Sequence, residues 1–538
     1  MRRLLYSLAV CIAALAAGGA SSVFAQESAG GYTTRVGGQT FGTETYRVTQ
    51  NADGSRRAEA DASFGGTKLK AVTIVNADGR PLSFELEVNG AKALTQQFTP
   101  AGVRVTAEGQ PGKTVEARPE VLLENGLWHH FIFLLARYDA RRGGAQTFAA
   151  FLPTQALAFK VTLTPVGRET FDVKGQKVTT EHFRAQTELG LAFEVWTDEA
   201  RATPLIFAVP TQGLQAVRQG SEDLAAVVFA RDAPPAPSAN GPYTSEEVTF
   251  RNGEQTLAGT LTIPKGTQGP HPAAVLITGS GSQDRDGTGV ANIYRRIAER
   301  LSANGVAVLR ADDRGVGKST PLAKGTSYRD LVNDTRAAFE YLLTRGEIDK
   351  GRVALIGHSE GAETALILAA EDTRVAAVAL LAGTSEPVDR VVVEQSLYQA
   401  AMQGPVDPMD ETKWPAVARQ IKEMFEKAKT TPRPAAGADD QLAWFREHAA
   451  HDPVADARKV RVPAFVANGE RDALVLPHHA LALAGEMAAA GNRRVTLRVF
   501  RDLTHLFTPA SGGERAGEVS EEFLRALQEW ASTALAKK

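Results

Sequence analysis

Of 538 residues only one is a cysteine, Cys11, and it lies inside the first apolar stretch of the chain. If that stretch is removed after export, no thiol remains, which excludes disulfides, cysteine-ligated metals and a cysteine nucleophile. An excess of one charge is lacking too. Sixty Lys and Arg stand against 62 Asp and Glu, a net of −2, and no dense basic stripe hides behind that balance, so a nucleic-acid partner is not expected. Long hydrophobic runs are also missing: after the first residues no stretch reaches about 18 apolar positions, and the mature chain is expected to carry no integral membrane segment. Nothing in the sequence bears on oligomeric state.

The amino-terminal residues have the layout of an export signal. Arg2 and Arg3 supply positive charge, residues 4–17 are largely apolar, and Val23-Phe24-Ala25 places small residues where a signal peptidase cuts. Cleavage before Gln26 is expected, with residues 1–25 lost and the product periplasmic or extracellular. A lipoprotein is disfavoured, because Val10 is a poor residue before a lipidated cysteine and the apolar run continues past Cys11.

A chain of this length exceeds one ordinary hydrophobic core, so two or more domains are expected. Residues 26–232 alternate: Leu82, Phe84, Leu86 and Val88 are spaced to share one face, as are Leu157, Phe159, Val161 and Leu163. Asn76-Ala77-Asp78-Gly79 and Lys174-Gly175 are turn sequences, and the pattern predicts a β-rich, mainly antiparallel domain with one helix over 127–138 and no repeat of blade or solenoid length. The Pro-rich segment 233–243 reads as a linker. From 244 to 538 strands alternate with helices, with strands expected near 246–250, 257–263, 273–278, 305–310, 352–356, 375–381, 463–468 and 495–500. That rhythm predicts a mainly parallel sheet covered on both faces. It breaks at 384–456, where an amphipathic helix over 409–429 and then Pro432, Pro434 and Gly437 suggest a cap inserted over the carboxyl edge of the sheet.

Gly357-His358-Ser359-Glu360-Gly361 falls where the apolar strand 353–356 gives way to the Ala- and Leu-rich helix 362–370. A serine at such a corner is held in strained backbone geometry with its hydroxyl exposed, and the close approach of strand and helix leaves room only for glycine two residues to either side. A hydroxyl nucleophile needs a base, and the base an orienting acid. His505 follows the last strand, and Asp472 follows the strand before it, with Glu470 and Asp502 as neighbouring carboxylates. In a parallel sheet all the strands' carboxyl ends lie on one edge, where the order Ser, Asp, His can converge. The Glu360 N–H and an amide of Ser280 or Gly281, after another strand, are the expected oxyanion donors. His358 is expected to shape the corner and not to act as a base.

Four motifs in order make residues 244–538 resemble the α/β-hydrolase superfamily, in particular bacterial esterases with the oxyanion loop Gly279-Ser280-Gly281-Ser282-Gln283-Asp284-Arg285-Asp286; Asp312-Asp313-Arg314-Gly315-Val316-Gly317-Lys318-Ser319 is similar to the loop these enzymes carry after the following strand. The resemblance implies cleavage of carboxylic esters through an acyl-enzyme without a cofactor. The same fold and triad also serve peptidases, so short peptides are an alternative substrate. A second alternative is an envelope-binding protein with a degenerate hydrolase domain. Gly315 to Ser319 also evokes a phosphate-binding loop, but Asp312 stands where that loop needs glycine, and no nucleotide is expected. Adjacent histidines on a helix diverge by about 100°, so neither His129-His130 nor His478-His479 is assigned a metal. Trp414 and Phe425 are candidates to line an acyl pocket or to pack the cap on the body.

Overall fold

The computed structural model describes residues 27–537, apart from 37–38, 65–66, 109–111, 189–190, 210–213, 232–240, 267, 289, 322–324, 403–404, 436–439, 441 and 511–517. The signal segment 1–25 and most of the linker 233–243 lie outside the described residues.

Alternation in the first part produces one sheet of fifteen strands. Strands Glu27–Val36, Gln39–Gln50, Arg56–Phe64, Thr67–Val75, Pro81–Val88, Ala91–Thr99 and Gly102–Ala107 pair successively and antiparallel. Glu27–Val36 then pairs with Leu214–Arg218, and the sheet continues through Pro204–Val209, Ala192–Thr197, Gln176–Thr187 and Leu157–Val173 to Gln146–Leu152. The Lys174-Gly175 hairpin closes with φ of +52° and +83°, the left-handed pair that a two-residue turn requires. The expected helix is shorter than predicted, His130–Ala136, and His130 to Leu135 are all buried. It belongs to one core with Tyr46, Phe84 and Leu86 from the early strands and Phe151, Phe183 and Phe207 from the late ones, so the sheet curls around it.

Leu82 departs from its expected face. The register slips between Ile74 and Val75, opposite Leu82, and this β-bulge turns Leu82 out to 41% exposure while Phe84 and Leu86 stay inside.

The second sheet has eight strands: β1 (Tyr243–Asn252), β2 (Gln255–Pro264), β3 (His271–Ile277), β4 (Ala307–Ala311), β5 (Ile348–His358), β6 (Ala377–Leu381), β7 (Ala464–Gly469) and β8 (Val495–Phe500). Their order is β1-β2-β4-β3-β5-β6-β7-β8, parallel from β4 onward. Helices α1 (Ile293–Ala303), α2 (Tyr328–Thr344) and α3 (Glu360–Glu371) connect the central strands. The cap between β6 and β7 holds α4 (Val388–Ala401), α5 (Ala416–Thr430), α6 (Ala443–Ala449) and α7 (Pro453–Ala457); α8 (His478–Ala489) and α9 (Glu521–Ala534) follow β7 and β8. Both faces of the central strands are covered, which is why they read as apolar runs: Val353 and Leu355 join the α2, α3 and α8 side, and Ala354 and Ile356 the α1 and α9 side. The amphipathic stretch 409–429 divides into a single turn at Glu411–Lys413 and α5, which starts after Pro415 because proline is accepted only at a helix start.

Candidate active site

Ser359 stands at the corner between β5 and α3 with φ +56° and ψ −122°, a conformation that non-glycine residues avoid. The corner is closed so tightly that a methyl group on Gly357 would collide with the Gly361 carbonyl, and one on Gly361 with the carbonyls of Ile277 and Thr278. Both glycines are therefore steric requirements of the fold. The Ser359 amide is anchored on Leu381 O at the end of β6 (2.8 Å).

On the same edge, the His505 Nδ1–H donates to Asp472 Oδ2 at 2.8 Å, which leaves Nε2 as the ring's basic nitrogen. Asp472 is 1% exposed, and its other oxygen accepts the amides of Leu474 and Val475, both at 2.9 Å. Burial pushes this carboxyl up, but the neighbouring His505 and the two amides outweigh it and hold it below the ordinary range. Glu470 and Asp502 turn to each other's surroundings instead: Glu470 accepts the Asp502 amide at 3.0 Å. His358 is buried, and its Nε2–H donates to the His505 carbonyl at 2.9 Å, tying the serine corner to the histidine loop. Burial, helped by His505, draws the His358 pKa down to about 3, so it is a neutral strut. Gly469 was not singled out by the sequence; a methyl there would strike the carbonyls of Leu503 and Thr504, so it lets the acid loop and the histidine loop meet.

The oxyanion loop lies against the serine, with Gly279 close enough that a methyl on it would sit 3.2 Å from Ser359 Cβ. Gly279 N–H is occupied by Tyr294 Oη (2.8 Å), whereas the amides of Ser280, Gly281 and Glu360 have no acceptor among the described residues. The loop is braced from below. Arg285 makes a two-pronged pair with Asp312 (3.0 and 2.6 Å), and Asp313 accepts from the Thr278 hydroxyl (2.6 Å) and the Gln283 amide (2.8 Å). Burial lifts the Asp313 carboxyl to about 8 against those hydrogen bonds. The segment resembling a phosphate loop is thus a brace, with Lys318 paired to Glu247 at 3.0 Å.

A cavity of about 390 Å³ opens beside the corner, walled by Ser280, Gly281, Glu360, Trp444 and the apolar side chains of Phe250, Leu257, Leu309 and Leu331; Ser359 borders it without forming its wall. Glu363, one turn into α3, is buried and accepts from His448 (2.9 Å), His451 (3.4 Å) and the Thr384 hydroxyl (2.6 Å). These partners lie in the cap, so the network joins the nucleophile helix to α6. Of the two aromatic candidates, Trp414 lines a separate cavity of about 750 Å³ between α4 and α5, and Phe425 packs edge-on against Phe445.

Of the two histidine pairs, His478-His479 departs from the expected divergence and His129-His130 follows it. His478 and His479 converge on Glu394 of α4, one ring per carboxylate oxygen (3.3 and 2.8 Å), because that long side chain reaches between them. The Ser385 amide donates to His479 Nδ1 at 3.1 Å, so Nε2 carries the proton and points it at Glu394. A metal would need that nitrogen bare, and the group serves as a tie between α4 and α8. His129 and His130 part company inside the first sheet, His129 on Glu44 (2.6 Å) and His130 on Thr73 (3.0 Å).

The strand order, the serine corner after β5 and the cap between β6 and β7 define an α/β-hydrolase fold, preceded in the chain by a β-rich, mainly antiparallel sheet. Residues 287–508 match the serine aminopeptidase (S33) family, and residues 23–213 match a protein family of unknown function (DUF3108). Esterase EstD of Thermotoga maritima is 28% identical over 282 residues, which cover 51% of this chain and 65% of that protein. Among solved structures, the Pyrococcus furiosus esterase Pf2001 is similar at 18% identity with a TM-score of 0.40, covering 56% of this chain and 97% of its own. Est1E of Butyrivibrio proteoclasticus, solved with ferulic acid bound, is similar at 17% identity with a TM-score of 0.38, covering 54% and 100%.

Proposed function

We propose that the chain is an exported serine hydrolase, a carboxylesterase that works through an acyl-enzyme. Ser359 attacks the ester carbonyl, His505 takes the hydroxyl proton and returns it to the leaving alcohol, and Asp472 holds the imidazole and stabilises its cation. The tetrahedral oxyanion is received by the Glu360 amide and by Ser280 or Gly281, a type of contact worth about 2.7–4 kcal/mol per donor. Water then enters by the same route and releases the acid. The observation that carries this reading is the Asp472–His505 pair at 2.8 Å, tied through His358 to a strained serine flanked by unoccupied amides. The likeness to an esterase supports ester bonds as the substrate, and the export-signal pattern of residues 1–25 supports action outside the cytoplasm.

Peptide cleavage is the second reading, favoured by the match to the serine aminopeptidase family. p-Nitrophenyl esters of increasing chain length, assayed beside aminoacyl p-nitroanilides, separate the two. Ester turnover exceeding anilide turnover by at least about 100-fold in kcat/KM is expected, and cleavage of anilides alone would sink the esterase reading.

A further inference from the structure

The cavity beside Ser359 has an unusual charge balance. Its wall is mostly apolar, and the cation in it is already neutralised: Arg314 forms a two-pronged pair with Asp334 (2.5 and 2.8 Å). Of its acids, Asp312 is matched by Arg285. Glu360 has no Lys or Arg partner among the described residues; His448 and Trp444 of α6 are its favourable neighbours, and Trp444 lines the same wall. Trp444 is held in turn by α6, where it packs edge-on against His448 (ring centroids 4.7 Å) and His448 is paired with Glu363. The residue whose amide is offered to the oxyanion is thus also an acid in the wall of the cavity.

We infer that the part of the substrate entering this cavity carries a protonated amine on a short hydrocarbon stem, with the Glu360 carboxylate as its counter-charge. The inference rests on the esterase reading of the site and names its substrate class. A half-buried carboxylate without a cation is unfavourable, and an ammonium group brought against it supplies the missing counter-charge. The apolar wall of Phe250, Leu257, Leu309 and Leu331 suits the stem. An anionic substituent would meet the Glu360 carboxylate and be rejected, which supplies discrimination by repulsion as well as attraction.

The groups facing Glu360 set the pH behaviour. They are Glu363 on the same helix, His448 and Trp444 on α6, Asp313 after β4 and Tyr328 on α2. Burial raises the Glu360 carboxyl above its ordinary range, with His448 and Trp444 opposing and Glu363 adding to the rise. The preference for a cation should accordingly grow as pH rises through that elevated value and fade when the substrate amine itself loses its proton, near 10 for a lysine-like amine.

Isosteric ester pairs test this with the full-length mature protein. Phenyl 5-aminopentanoate is compared with phenyl hexanoate for the acyl side, and 3-aminopropyl benzoate with butyl benzoate for the alcohol side. In one of the two series the ammonium member should show kcat/KM at least tenfold higher. Preference for the neutral member in both series would overturn the inference while leaving the esterase reading intact; no turnover of any of the four would overturn the esterase reading and this inference with it. Competition requires no variant: pentylammonium should inhibit at lower concentration than 1-pentanol, and the reverse order would contradict the proposal. Within Glu360→Gln the ammonium-to-neutral ratio should fall to about one, and within Glu360→Asp it should stay above one. An undiminished ratio in Glu360→Gln would assign the counter-charge to another group and refute the role of Glu360.

Discussion

At the scale of single residues, the orientation of His505 depends on Asp472 accepting from Nδ1. Asp472→Asn would present a side chain that favours the wrong imidazole tautomer, an exchange that lowers kcat by about 10⁴-fold in a serine protease triad. A loss of about that size in ester turnover is expected here, with KM little changed, and steady-state kinetics on a p-nitrophenyl ester would read it. Gly361→Ala tests the corner itself: the new methyl would press on the carbonyls of Ile277 and Thr278, so the variant should be recovered largely unfolded, by circular dichroism. That Ser359, Asp472 and His505 follow strands ending on one sheet edge is legible in the sequence, because the strands before Ser359 and Asp472 are plain apolar runs. Glu363 and Trp444 are not legible there, because their roles come from partners some 85 positions away in the chain, as with Glu363 and His448. The place of His358 inside the tight corner is evident from its neighbours in the sequence, but its hydrogen bond to the His505 carbonyl depends on a loop fold that no local pattern encodes.

At the scale of elements, the tie between α3 and the cap is electrostatic and buried. Burial opposes both charges, yet attraction and a hydrogen bond from His448, with further hydrogen bonds from His451 and Thr384, bring Glu363 down to about 2, and Asp456 at 3.0 Å together with Glu363 raises His451 to about 9. The signs follow from linkage. The depressed Glu363 contributes stability that is present above its ordinary 4.5 and lost as pH falls toward 2; the raised His451 contributes stability that is full below 6.5 and lost as pH climbs through 9. Thermal stability should therefore plateau between about 4.5 and 6.5 in this respect and decline on both sides. Removing one partner of a buried pair leaves the other charge stranded, so Glu363→Gln should destabilise the protein by about 3–5 kcal/mol in urea unfolding and flatten the acid arm of the pH curve, while Asp456 sustains part of the alkaline arm. The central strands β3 to β7 are visible as apolar runs because both of their faces are buried, whereas the edge strands β1 and β8 are largely exposed. Element ends were harder. Pro415 starts α5 later than the amphipathic pattern suggested, and the bulge at Leu82 breaks an alternation whose letters are regular.

At the scale of the whole molecule, the hydrophobic clusters divide cleanly. Two draw only on the fifteen-stranded sheet with its helices and two only on the eight-stranded sheet with its own, so each has a core of its own. Residues 241–538 expressed alone should fold and cleave p-nitrophenyl acetate with kcat/KM within about fivefold of the mature chain; a fragment that is folded by circular dichroism but inactive would show that the β-rich domain completes the site. The alternation that predicted antiparallel sheet was enough to establish its class, but not its curl around His130–Ala136, which arises from side chains of both halves meeting one helix. The central claim is that one oxygen, that of Ser359, becomes covalently linked to the substrate. Treating the mature protein with a fluorophosphonate and mapping the adduct by peptide mass spectrometry tests it most directly: a single adduct on the peptide holding Gly357 to Gly361, absent from Ser359→Ala, is the result predicted, and an adduct elsewhere, or labelling undiminished in Ser359→Ala, would contradict it.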